Sequence, residues 1–131
     1  MNVNDYKQMV DKEDGNVIAV DFDGVIHKGS KGFYDGTVYD DPVKNVKKGL
    51  EVLSKHHKLI IYSCKANPKR VLVNNKTGVE LIWEWLKKYQ LDHFITNVVH
   101  GKPNALLYID DKGYRFENWN DTIKFIEDFN A

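Results

Sequence analysis

The residues best suited to chemistry are acids that close apolar runs. Val17-Ile18-Ala19-Val20 leads into Asp21-Phe22-Asp23-Gly24, and Leu106-Leu107-Tyr108-Ile109 leads into Asp110-Asp111. Between them, Lys58–Ser63 is a third apolar run, ending in the hydroxyl of Ser63, and Lys102 stands just before the last run. Brought together, these groups form a coherent set. Several carboxylate oxygens make a hard site suited to Mg²⁺. A hydroxyl and an ammonium are a hydrogen-bond donor and a point charge for phosphoryl oxygens. Phosphoryl transfer needs those parts: a positioned nucleophile, charge neutralisation and a proton donor for the leaving group. Taken singly each is weak, since Asp21 and Asp23 read equally well as turn acids and Ser63 as a turn cap.

The elements around them explain how they could meet. Four apolar residues in succession suit a strand buried on both faces of a parallel sheet, and the carboxyl ends of such strands are where α/β sheets bind ligands. Strands are expected at about 16–22, 58–63, 94–99 and 106–109, with Arg115-Phe116 as a fifth, edge strand. Asp41-Pro42 signals a helix start, with Val43, Val46, Leu50 and Leu53 recurring at helical spacing to about His56. Thr77-Gly78-Val79-Glu80 reads as a capping box opening a second helix to about residue 90, and Asn120-Asp121 caps a last one. Strands alternating with helices imply an α/β fold with a mostly parallel sheet. Residues 2–15 read as a frayed arm or a short helix. The glycine- and aromatic-rich stretch 28–39 reads as a loop or small hairpin overhanging the two acids.

Composition sets the limits. The chain has 131 residues, 42% hydrophobic and 29% charged, as expected of a single soluble domain over residues 1–131. Its 19 basic and 19 acidic residues balance, which argues against a bulk nucleic-acid or anionic-membrane binder. Only Arg70 and Arg115 are arginines, so bidentate phosphate recognition is expected to be a minor theme. The single cysteine, Cys64, excludes an intrachain disulfide. No signal peptide and no membrane span are expected, and cytoplasmic localisation is the default.

On the motifs Asp21-Phe22-Asp23-Gly24, Ser63, Lys102-Pro103 and Asp110-Asp111, in that order, the chain resembles the haloacid dehalogenase (HAD) superfamily of phosphohydrolases. Within it, Asp-Gly-Val-Ile-His and Lys-Pro-x-Ala are similar to small phage- and bacteria-associated members of unknown substrate. The resemblance implies a three-layer Rossmann-like fold with helices on both faces of the sheet. It implies a Mg²⁺-dependent phosphomonoester hydrolase with Asp21 as nucleophile, forming an aspartyl-phosphate. Asp23 would protonate the leaving oxygen and then activate water. Asp21, the Asp23 backbone carbonyl and Asp110 would hold the metal with Asp111 beside them, while Ser63 and Lys102 steady the phosphoryl group. Nearby members often carry Arg two residues after the second motif, where this chain has Lys65, so either lysine could supply the phosphate-binding charge.

The short spans between motifs leave room for only a minimal flap and no cap domain. An open site suits a large phosphorylated substrate, such as a nucleotide or nucleic-acid end, or is closed by another subunit through oligomerisation; small phosphorylated molecules remain equally open. The alternative is a phosphate- or metal-binding regulatory or phosphotransfer domain with little turnover. Two-component receivers use a similar acid, hydroxyl and lysine set, although their phosphorylated Asp ends a mid-chain strand. The remaining candidates have plainer roles. Cys64 is a small strand-end residue, His27 a supporting or surface residue, and Trp83, Trp85 and Trp119 pack on the sheet. The flap aromatics Phe33, Tyr34 and Tyr39 pack on one another or stack on a base.

Overall fold

The computed structural model describes residues 16–110 and 114–130. The arm at 2–15 and Asp111 lie outside them. The described strands are β1 (Val17–Asp21), β2 (Lys58–Tyr62), β3 (Asn97–Val99), β4 (Leu107–Asp110) and β5 (Tyr114–Arg115). The helices are α1 (Val46–Ser54), α2 (Gly78–Lys88) and α3 (Trp119–Phe129). The strands form one sheet in the order β3-β2-β1-β4-β5, and every pairing is parallel. No helix among the described residues is long and apolar enough to cross a membrane.

This order matters for the acids. From β1 the chain lays β2 and then β3 on one side, and afterwards crosses back to lay β4 and β5 on the other. The reversal leaves a crevice at the carboxyl ends of β1 and β4, the place where doubly wound sheets bind ligands. In register, Val20 pairs with Ile109, so the next residues, Asp21 and Asp110, stand side by side at that edge. β1 can occupy the centre because Val17–Val20 are all buried, as a strand covered on both faces requires.

The capping box at Thr77 is present as read: its hydroxyl accepts the Glu80 N–H, and the Glu80 side chain accepts the Thr77 N–H. Three boundaries differ from the sequence reading. α1 begins at Val46, not at Pro42, behind a left-handed Asn45 (φ 66°). The stretch before it is used otherwise: Lys28 donates to the Asp41 carbonyl and Val43 to that of Ile26, closing the base of the 28–40 flap. α3 is capped by Asn118, whose side chain accepts the Asp121 N–H, two residues earlier than expected. β3 is shorter than expected because Asp92–Phe94 form a 3₁₀ turn instead.

α1 and α3 pack against each other through an unusually close contact. Gly49 lies on the indole of Trp119, and a Cβ at that position would overlap the ring. The indole cannot step aside, because it is buried and its Nε1–H donates to the Val25 carbonyl at 3.0 Å. Ala is better than Gly in a helix by about 1 kcal/mol, but overpacking a core costs about 1–3 kcal/mol. Because the added Cβ would overlap the ring itself, the upper part of that cost applies, so Gly49→Ala is expected to lower stability by about 1–2 kcal/mol. The measurement is urea unfolding, with a lower midpoint at unchanged slope.

Candidate active site

The turn after β1 builds the first half of the site. Val25, Ile26 and His27 all donate their N–H groups to the Phe22 carbonyl, and Gly24 donates to that of His27 at 2.7 Å. This tight wrap buries Phe22 and folds His27 back against Asp23. His27 is fully buried, stacked parallel on Phe22 at 5.3 Å and flanked by the edges of Tyr39 and Trp85. The Asp40 backbone N–H donates to Nε2 at 2.9 Å, which leaves the hydrogen on Nδ1. Nδ1 in turn donates to Asp23 Oδ1 at 2.7 Å.

The other oxygen of Asp23 is also held. Lys65 is fully buried, and its Nζ donates to Oδ2 at 2.8 Å. Burial alone would raise the Asp23 carboxyl. The hydrogen bonds from His27 and Lys65, with the Lys65 charge, outweigh burial and hold its pKa below the ordinary 3.8. Ser63 is what aims Lys65. Its hydroxyl accepts the Lys65 N–H at 3.1 Å and caps a 3₁₀ turn over Cys64–Ala66. Cys64 is exposed on the same turn.

The second half belongs to β4. Asp110 is buried, and its Oδ2 accepts from Lys102 Nζ at 2.9 Å and from the hydroxyl of Tyr62. Lys102 lies over the ring of Tyr108 at 4.6 Å and near that of Tyr62 at 5.7 Å, which narrows where its ammonium can point. Asp21 accepts the Phe22 N–H at 2.8 Å. Asp21, Asp23 and Asp110 line one cavity of about 370 Å³, together with the Gly24-Val25 turn, Arg115 and Phe116.

The acids expected from the sequence therefore converge, except Asp111, which lies outside the described residues. Ser63 and Lys102 connect to the cavity indirectly, through Lys65 and through Asp110. Among the described residues no group of three or more His, Cys, Asp or Glu is gathered to hold a metal ion. Sequence reasoning missed Tyr62 on Asp110 and the place of Arg115 on the cavity wall, and left His27 and Lys65 open. His27 had a usable signal, since a residue four positions beyond Asp23 across a Gly turn returns to its side.

The flap is fastened to this site. Asp40 accepts from the Ser30 hydroxyl and N–H and from the Asp41 N–H, and these bonds lower its pKa to about 2. Arg70 donates to the Lys65 carbonyl at 2.5 Å and to that of Gly36 at 3.1 Å, with its guanidinium over Phe33 at 4.8 Å. Gly29 passes so close to Asp23 that a Cβ would lie 3.2 Å from Oδ1, at a left-handed φ of 58°. Compared with models of known protein families, with curated proteins and with solved structures, the chain matches none of them.

Two predictions come from these contacts. Lys65→Met strands a partly buried carboxylate and is expected to cost about 3 kcal/mol, the low end for a broken buried pair because Asp23 still reaches water. Adding Asp23→Asn should restore part of the loss, read as a coupling energy in a double-mutant cycle. Asp40 has a lower pKa folded than unfolded, so its contribution is complete above 3.8 and disappears as pH falls towards 2. The acid-unfolding limb over that interval should be shallower in Asp40→Asn than in wild type.

Proposed function

We propose that the chain is a Mg²⁺-dependent phosphomonoester hydrolase working through an aspartyl-phosphate on Asp21. The observation that supports it most is the convergence of Asp21, Asp23 and Asp110 on one cavity at the point where strand order reverses, with Lys65 and Lys102 each ion-paired to one of those acids. The HAD-type three-layer arrangement belongs to the same reading. α1 and α3 pack together through Gly49 and Trp119, α2 packs against β3, and the 28–40 stretch serves as a minimal flap without a cap domain.

The donor set fits Mg²⁺. That ion takes hard oxygens, keeps several waters and is commonly held by one or two carboxylates, so a gathering of three acidic side chains is not required. Asp21 and Asp110, on adjacent strand ends, with the Asp23 carbonyl, would hold it. When bound, it neutralises phosphoryl oxygens and supports in-line attack.

The steps then fall to named atoms. An Asp21 oxygen attacks phosphorus while the bond to the leaving oxygen breaks, and Asp23 supplies the proton that oxygen takes. Water next attacks the aspartyl-phosphate, giving its proton to Asp23, and inorganic phosphate leaves with Asp21 restored. Asp23 must therefore be protonated for the first step, although His27 and Lys65 favour its carboxylate. Entry of a phosphoryl dianion draws the Lys65 ammonium towards itself and relieves Oδ2, which lets the acid take a proton.

The experiment is hydrolysis of a generic aryl phosphate. Activity should appear with Mg²⁺, vanish with EDTA and fall by about 10³-fold or more in Asp21→Asn. Inactivity across a wide panel of phosphomonoesters, or an active Asp21→Asn, refutes the reading. Stoichiometric labelling of Asp21 by acetyl phosphate without turnover supports a phosphotransfer domain instead, a reading favoured by the two donors that keep Asp23 ionised.

A further inference from the structure

Arg115 is not among the groups used above, yet it lines the same cavity as Asp21, Asp23 and Asp110. It lies on the edge strand β5, in register with Asp110, and its side chain is exposed. Its guanidinium makes no hydrogen bond or ion pair with any described residue, whereas the lysines at this end, Lys65 and Lys102, are each paired to a carboxylate. A planar fork of donors that no described residue engages, on the wall of a cavity it shares with three acids, is free to bind an incoming group. Its geometry matches an oxyanion from outside the protein, and an Arg binds carboxylate or phosphate through two parallel hydrogen bonds.

Its position narrows the ligand. Two strand spacings, roughly 10 Å, separate the backbone of Arg115 from that of Asp21. A side chain reaching back over β4 thus meets a group a few bonds from a phosphoryl bound at Asp21. Phe116 lines the cavity beside it and gives the intervening organic part an apolar wall.

We propose that Arg115 determines specificity by binding a second oxyanion on the substrate, a few bonds from the phosphomonoester. This rests on the hydrolase reading for the site but not on turnover. Two sources carry that chemistry: the first diester of a nucleic-acid end, or the carboxylate of a phosphorylated hydroxy acid.

Three ligands that cannot be hydrolysed test it by calorimetric titration in Mg²⁺: methylphosphonate, phosphonoacetate, and a dinucleotide ending in a 5′-methylenephosphonate. Wild type should bind at least one of the two-oxyanion ligands roughly tenfold or more tighter than methylphosphonate. The tighter of the two identifies the source. Arg115→Gln should erase that preference while leaving methylphosphonate within about twofold. Arg115→Lys should recover only part of it, because a point charge lacks the fork. An exposed edge-strand substitution of this kind leaves the fold intact. Equal loss for all three ligands, or no preference in wild type, overturns the proposal. Preference without any hydrolysis sinks the hydrolase reading alone, and hydrolysis with an indifferent Arg115→Gln sinks this one alone.

Discussion

An ammonium with no exposure to water must be matched at close range, because an unpaired buried charge costs more than a domain's whole margin of stability. Lys65 is such a group, and its match is Asp23 at 2.8 Å. Much of the site end follows from meeting that demand. Ser63 caps the turn that points Lys65 inward, and Arg70 secures the Lys65 carbonyl. α2 must start with Gly78, since any Cβ there would overlap the same carbonyl. One charge pair thus ties the exit of β2, the start of α2 and the acid after β1 into a single unit.

His27 extends that unit to the flap. With Nε2 accepting from Asp40 and Nδ1 donating to Asp23, one imidazole spans the root of the flap and the acid of the site. Trp85 holds the next peptide of the same residue, donating from Nε1 to the Asp40 carbonyl at 2.9 Å. The flap root is therefore tied to the core through His27 and Trp85, and at its tip Phe33 and Tyr34 stand exposed. Its outer turns are closed locally, by Tyr39 on Gly32 and by Asp35 on Thr37.

What the sequence made legible, and what it hid, divides along the range of the interactions. The apolar runs of β1, β2 and β4 and the Thr77 capping box depend on neighbours in the chain and are legible there, whereas the short β3 and β5 are legible only to within a few residues. The acids at 21, 23 and 110 were legible because parallel strands send all their carboxyl ends to one edge. Asp41-Pro42 misled because a local helix signal lost to pairing with Ile26 and Lys28, a contact that only the closed flap supplies. Lys65 on Asp23, Tyr62 on Asp110 and Gly49 under Trp119 join residues far apart in sequence, and no local pattern encodes them. Arg115 was undervalued for a different reason. Its significance lies in which cavity it lines, and that depends on β5 adding to the sheet beside β4.

The double restraint on Asp23 bears on chemistry as well as folding. A general acid must carry a proton, and a carboxylate held by two donors resists taking one. The two donors differ in how easily they can let go. His27 is enclosed by Phe22, Tyr39 and Trp85 and bonded at both nitrogens, so moving it would unpack the core. Lys65 ends in a flexible stem, with its ammonium 5.3 Å from the ring of Phe33 and 5.8 Å from that of Tyr39, faces that can accept a displaced cation. Turnover in the proposed hydrolase therefore depends on the mobility of one ammonium. A Lys65 that follows the phosphoryl group permits a complete cycle, whereas a Lys65 that stays on Asp23 leaves the departing oxygen without its proton, so that only an acyl phosphate, whose leaving group needs none, can label Asp21. The choice between hydrolase and phosphotransfer domain comes down to that contact, not to the identity of the acids.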